Sequence, residues 1–457
     1  MDILHRLNIT PLIAIFALFL GLLMSWGIVY SNPIYVLGLS GLILLSIGFL
    51  ESPKITTLFL IMILPIIRGF AESTRLFSGS AYTVNILGIL NIFIPIMVAI
   101  YLFVHHRKFS SFKLSKPITL FTMYLLLGIL FSVSPFITLR ECFRIVMPIS
   151  LYFIILCFEI DGNQAKKFLY VILLSSIVPM LIGGYQYINK SCIYEGYGIN
   201  RLSSTFGHPN CYAMFLVICI LITSYLYSSR NWFMGKMVFI SYLACLFFSL
   251  FNTFTRIGWA TSLFSLSILG MFGKKRLLFF MFSVLIIIFL LIPNISNLFL
   301  ERIKPDSSAM DRLVFNKFSL SLFTEKPSLG IGLGNYGLLS EERFGIAIER
   351  YGKAFGVAPH NDYLKFLVET GLIGLLLYLY LMYSALRIGI RLCKSDKVAF
   401  KNYGIFLISL ILGILFFGIT DSGFTYSWIY LWIILAIGEV HLRSLEKSKP
   451  NLITLKE

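Results

Sequence analysis

Apolar runs of about twenty residues, set apart by short polar breaks, recur along almost the whole chain. A helix of that length crosses the hydrocarbon core of a bilayer. The runs fall at 10–30, 33–50, 55–70, 82–104, 117–134, 145–160, 167–188, 209–228, 234–252, 257–273, 277–293, 366–390, 402–420 and 424–441. They predict an all-α, polytopic membrane protein with about 12 to 14 transmembrane helices, the range arising because some windows are short and close neighbours can be re-entrant. One long interruption, 294–365, breaks the rhythm. Roughly seventy mixed residues exceed a connector and fall short of an independent enzyme, so they predict a helical cap on the bundle. The expected division is an N-terminal bundle (1–293), the insert closing an active site (294–365), C-terminal spans (366–441) and a cytoplasmic tail (442–457).

Inside the insert, Ser307 and Ser308 open a predicted helix carrying Met310, Leu313, Val314, Phe318 and Leu322 and ending before Pro327. A second is predicted over 337–353. Between them Gly330-Ile331-Gly332-Leu333-Gly334-Asn335-Tyr336-Gly337 reads as a tight reversal that returns the insert to the bundle, with glycines admitting positive φ. No lysine follows it, so it is not a phosphate loop.

Composition supports the membrane reading: mean hydropathy is +0.86, with 58% hydrophobic and 13% charged residues. The net charge of +17 is scattered through short loops, which points to lipid and orientation and away from nucleic acid. The seven cysteines form no CxxC pair and predict neither a zinc site nor a disulfide framework. The first run follows a short basic start without a small-residue cleavage site, and reads as a span, not a signal peptide. Alternating the loops gathers Arg107, Lys108, Lys113, Lys116, Lys166, Lys167, Lys274, Lys275, Arg276, Arg391, Lys394 and Lys397 on one side. By the positive-inside rule that side, with both termini, is cytoplasmic, and the insert lies on the periplasmic or extracellular face.

This orientation leaves only His208 and His360 outside, with Arg68, Arg140, Arg144, Arg201 and Arg256 set in outer loops against the charge bias. Arg201 precedes Ser203-Ser204-Thr205-Phe206-Gly207-His208-Pro209-Asn210, where Pro209 suits the first turn of a helix and Asn210 or a hydroxyl suits its cap. A helix N-terminus beside an arginine favours an anion. Arg256 is either a snorkelling anchor or, with Arg201, Arg140 and Arg144, part of a cradle for a diphosphate, the kind of ligand that guanidinium pairs recognise. His360 is either an idle member of a helix cap or a general base, and its place at the junction of insert and bundle favours the base. Glu369, inside the following span, reads as a structural partner for an outer arginine. No second histidine or carboxylate stands at ligand spacing, so no metal is expected.

These pieces resemble the O-antigen ligase and polymerase superfamily of bacterial membrane glycosyltransferases. The matching residues are 201–210 followed by Tyr212-Ala213; Thr255-Arg256; Met310-Asp311-Arg312-Leu313 with the glycine run; and Pro359-His360-Asn361-Asp362-Tyr363-Leu364 with Glu369-Thr370-Gly371. They cover about 195–380, while residues 1–190 carry no such motif. The resemblance implies a GT-C-like helical transferase in the bacterial inner membrane. Its donor would be a glycan on undecaprenyl diphosphate, and its acceptor a sugar hydroxyl on lipid A core or a growing polysaccharide. By the same resemblance, Arg201 and Arg256 hold the diphosphate and His360 acts on the acceptor hydroxyl. Arg140, Arg144, Arg312, His208, Asn210, Asn361 and Glu369 are helpers, and inversion proceeds without metal, cofactor or nucleotide. A polymerase or a protein O-oligosaccharyltransferase of the same superfamily is the alternative. A lipid-linked-sugar transporter fits less well, because the halves are unlike and the candidate residues gather at one face.

Overall fold

The computed structural model describes residues 33–73, 77–78, 83–84, 86–105, 112–191, 194–196, 199–229, 235–272, 307–344 and 359–447. The expected spans at 10–30 and 277–293, the start of the insert, the end of its second helix and the tail beyond Lys447 lie outside the described residues.

The helices in chain order are α1 (Pro33–Glu51), α2 (Pro53–Ser73), α3 (Ile86–Val104), α4 (Ser115–Leu127), α5 (Pro135–Cys157), α6 (Gly162–Ser175), α7 (Ile177–Ile188) and α8 (Pro209–Ser228). They continue as α9 (Lys236–Asn252), α10 (Arg256–Phe272), α11 (Ser307–Glu325), α12 (Tyr336–Phe344), α13 (Asp362–Cys393), α14 (Val398–Phe417) and α15 (Gly423–Lys447). Two short antiparallel hairpins interrupt them: β1 (Phe77–Ser78) with β2 (Thr83–Val84), and β3 (Tyr194–Gly196) with β4 (Ile199–Arg201). Among the described residues, five stretches are long and apolar enough to cross a membrane: Leu87–Val104, Gly162–Ile188, Pro209–Ser228, Asp362–Cys393 and Val398–Phe417.

Two helices differ from their apolar windows. α5 begins well before residue 145, at Pro135 in its first turn, because Arg140, Glu141 and Arg144 belong to the helix while hiding its start from hydropathy. The 117–134 window holds α4 and then a 3₁₀ turn at Gly128–Phe131.

α8 carries no charge and is apolar on every side, the pattern of a helix with no face to offer water. It is accordingly the buried centre, with α6, α9, α10, α14 and α15 packed around it. Among apolar helices in lipid the hydrophobic effect gives little preference for one partner, so packing and polar links fix the arrangement. At the end predicted to be cytoplasmic, the buried Glu439 carboxylate accepts from Arg443 Nη2 (2.6 Å), from the Lys113 amide (3.0 Å) and from the Tyr152 hydroxyl, joining α15 to the segment before α4 and to α5.

At the other end, α13 breaks at Gly371 (φ 68°, ψ −177°). A helix break inside a membrane frees backbone groups that lipid cannot satisfy. The glycine run satisfies them: Ile331 and Gly332 amides donate to the Val368 and Glu369 carbonyls (3.0 and 2.9 Å), and the Leu372 amide donates to Pro327 O (2.9 Å). Tyr124 of α4 closes the set by donating to Thr370 O (2.7 Å). Gly330, Gly332 and Gly334 all have positive φ, so the predicted chain reversal is present, and its role is to splice the insert into the broken helix.

A Cβ at Gly371 would stand 2.1 Å from Ser328 O, whereas one at Gly184 meets nothing within 4 Å. Gly371→Ala is therefore expected to cost at least about 1–2 kcal/mol from the left-handed backbone alone, with the collision added. Gly184→Ala should be neutral or slightly stabilising. Heating the detergent-solubilised variants and following the monodisperse fraction checks this; equal melting would remove the clasp from the account.

Candidate functional site

The first turns of α8, α10 and α13 and the α14–α15 loop, at the end predicted to be outer, meet through one chain of hydrogen bonds. It starts at Arg201, the last residue of β4, which is only 8% exposed. Its Nε donates to Thr253 O (3.0 Å), and Nη2 donates to Asn210 Oδ1 (2.8 Å) and Thr255 Oγ1 (3.1 Å). One whole edge of the guanidinium thus ties the turn between α9 and α10 to the first turn of α8.

Asn210 does not cap α8. The cap is His208, whose Nδ1 accepts from the Asn210 amide (3.2 Å), a role the sequence reading gave to Asn210 or a hydroxyl. The Asn210 side chain is left to bridge: its Oδ1 takes Arg201 and Thr255, and its Nδ2 donates to Asp421 Oδ2. Asp421 lies in the loop joining α14 to α15 and is completely buried. Its Oδ1 accepts from the Ser422 amide (2.8 Å) and stands 3.5 Å from His360 Nδ1.

His360 sits on a bend with φ +49°, immediately before α13. The capping residue of α13 is Asn361, whose Oδ1 accepts from the Leu364 amide (3.0 Å), so the ring of His360 is not used in the cap. The turn is latched to the α14–α15 loop by three more bonds: Asn361 Nδ2 to Ile419 O (2.8 Å), Asp362 N to Gly418 O (2.9 Å) and Phe424 N to Asp362 Oδ2 (2.7 Å). With Nδ1 turned to Asp421 and the side chain 31% exposed, the imidazole keeps an accessible edge. Phe315 of α11 lies beside it, ring centroids 6.4 Å apart, which brings the insert to the histidine.

Burial by itself raises the Asp421 carboxyl pKa; the His360 hydrogen bond and charge, the His208 charge and the Ser422 amide outweigh it and hold the group at about 2. A folded value below the ordinary one contributes stability that is fully present above the unfolded value and is lost as pH falls through about 2. Asp421 is therefore an anion throughout the neutral range. Such a carboxylate can orient an imidazole through Nδ1 and leave the other ring nitrogen available.

The remaining candidates lie apart from this chain of bonds or at its edge. Arg256 is the first residue of α10, next to Thr255, and is half-buried. Arg140 and Arg144 flank Glu141 on α5, at 3.6 and 3.4 Å, and bond to none of Arg201, Asn210, Asp421 or His360. Glu369 is buried in α13 but pairs with no arginine among the described residues; its neighbours are Lys365 and the amides of Gly334 and Tyr336. The Arg312 side chain lies outside what is described, as does that of Arg68. Asp421 is the residue sequence reasoning passed over; Thr255 entered it only as the motif neighbour of Arg256. The signal for Asp421 was present: a lone carboxylate in a tight outer loop between two apolar runs demands a partner as much as an arginine does.

No curated protein matches this chain. A family model described as O-antigen ligase matches residues 241–379, a stretch that includes Thr255-Arg256, the glycine run, His360 and Glu369 but neither Arg201 nor Asp421. With that match, the chain carries a domain of the O-antigen ligase and polymerase superfamily.

Proposed function

We propose that this protein is an inner-membrane glycosyltransferase that moves a glycan from undecaprenyl diphosphate to a sugar hydroxyl at the outer face, in a GT-C-like bundle with both termini cytoplasmic. The observation that carries the reading is the buried Asp421 carboxylate beside Nδ1 of a half-exposed His360, at the outer end of the spans. In the reaction the acceptor oxygen bonds to the anomeric carbon as the bond from that carbon to the diphosphate oxygen breaks. The proton passes to His360 Nε2, and the electron pair leaves with the diphosphate. Asp421 holds the ring with Nδ1 protonated and stabilises the imidazolium that forms. Attack opposite the leaving group inverts the anomeric configuration.

Arg256, half-exposed at the mouth, is the guanidinium suited to meet the leaving diphosphate, whose developing charge is what a preorganised cation stabilises. Arg201 has its Nε–Nη2 edge committed to Thr253, Asn210 and Thr255, so its part is chiefly to hold Asn210, and through it Asp421, in place. The acceptor in this reading is lipid A core; a polymerase joining repeat units, or transfer to protein, uses the same chemistry.

The test is the purified protein in lipid, given undecaprenyl-diphosphate-linked repeat units with and without core lipid, products resolved by size. Product only with core lipid supports the ligase, a ladder from donor alone the polymerase, and no product under either condition counts against both. His360→Ala and Asp421→Asn should each lower transfer by roughly 10²- to 10⁴-fold, and the double variant little further, because the two act as a unit. Independent, multiplying losses would sink the pairing. Arg256→Lys should lose most activity with unchanged melting, since an ammonium cannot make a planar two-point contact. Arg201→Met should lose stability as well, by about 1.5–3 kcal/mol for each bond to the charged group; a melt like the native one would contradict its positioning role.

A further inference from the structure

α13 bends sharply at Gly371. Phe366 and Tyr378 are twelve residues apart, which on a straight helix is about 18 Å along the axis, yet their rings stack with centroids 4.4 Å apart. Tyr378 also meets Tyr363 (6.4 Å) and Phe424 of α15 (5.0 Å). Residues 362–370 are thus a short half-helix set between the longer half of α13 and the start of α15, and its first residue, Asp362, lies two positions after His360.

Three successive amides at the start of α15 are taken by two buried aspartates. Ser422 N donates to Asp421 Oδ1 (2.8 Å), Gly423 N to Asp421 O (3.1 Å) and Phe424 N to Asp362 Oδ2 (2.7 Å). The first amides of a helix have no partner within it and carry its positive end, so they suit a carboxyl group brought from another segment. Asp362 Oδ1 makes no hydrogen bond, so the link to α15 runs through Oδ2. Of the three bonds that latch the His360 turn, two end before Asp421 in the chain, on Gly418 O and Ile419 O, and the Phe424 bond alone ends beyond it. The turn is therefore held on both sides of Asp421. The fit is close, since a Cβ at Gly418 would stand 2.8 Å from Asp362 Oδ2.

We propose that Asp362 is a positioning residue for His360: by tying the His360 turn to the helix start that also holds Asp421, it sets the separation of the imidazole and its carboxylate. This rests on the transfer reading above, in which His360 is the base. Without the Phe424 bond the turn keeps only its links to the end of α14, and the imidazole can drift from Asp421 while the fold persists.

The test uses the full-length protein in lipid nanodiscs with nitrogen-15 histidine, the ring signals of His360 being identified by their loss in His360→Ala. Asp362→Ala should move the His360 Nδ1 signal and lower kcat by about a hundredfold, the scale of a misplacement of about 1 Å, with KM little changed. Asp362→Asn, which keeps an acceptor at the place of Oδ2, should recover most of both. Should the alanine variant fail to fold, Gly418→Ala crowds Oδ2 without removing it and should move the same signal. A His360 signal unmoved in these variants, a loss carried by KM and not kcat, or an asparagine variant as impaired as the alanine one would overturn the proposal. The nitrogen spectrum needs no substrate. Absence of transfer by the native protein would therefore sink the functional reading alone, and an unmoved spectrum the positioning role alone.

Discussion

A single buried carboxylate governs the geometry of the face that carries His360. Removing a charge from water at the edge of a membrane is costly unless every lone pair finds a donor. Asp421 finds them in Asn210 from α8, the Ser422 amide of its own loop, and His360 from the turn before α13. These partners are far apart in sequence, so the charge is tolerated only when several elements converge on it. The requirement that stabilises the carboxylate therefore also fixes where the histidine stands, and Arg201 extends the same constraint to the α9–α10 turn.

A second constraint acts on the backbone. α13 is continuous for its first turns, from the His360 latch to Glu369, and then gives up its regular hydrogen bonds at Gly371. Because the glycine run of the insert occupies that break, the insert is joined to the short rigid segment that begins at the histidine. Asn335 anchors the run from the other side, accepting from the Ser134 amide (2.9 Å) and donating to Thr138 (2.8 Å) at the start of α5. A displacement of the insert would have to disturb α5 and α13 together, which argues for a cap built into the bundle rather than a lid hinged upon it.

How much of this was legible follows from what each signal reports. Apolar runs report spans, so α8, α9, α10 and α14 lie close to where hydropathy puts them. Hydropathy is blind to helices that begin in a polar stretch, and the start of α5 was hidden by Arg140, Glu141 and Arg144. Capping chemistry gave the right position for α8 but the wrong atom, since several polar residues beside Pro209 could each serve and only the tertiary pull on Asn210 decides between them. At the histidine it is Asn361 that takes the cap, so the ring of His360 is not spent on it. The partnership with Asp421 joins positions on either side of α13 and α14, a separation that no local pattern spans.

The outer arginines, which the sequence grouped by side of the membrane, differ in what the fold asks of them. Arg201 is buried and bonded along one edge, Arg256 is half-buried at the start of α10, and Arg140 and Arg144 share the charge of Glu141 on α5. In the proposed transfer two sugar chains would meet at His360, which would call for polar surface on more than one side of it. The Asp421 network holds the turn that carries His360, while Glu141, Arg144 and Lys365 line a pocket that Phe424 also borders. One carrier diphosphate does not require that division of charge. A histidine set between two incoming chains, as proposed, would.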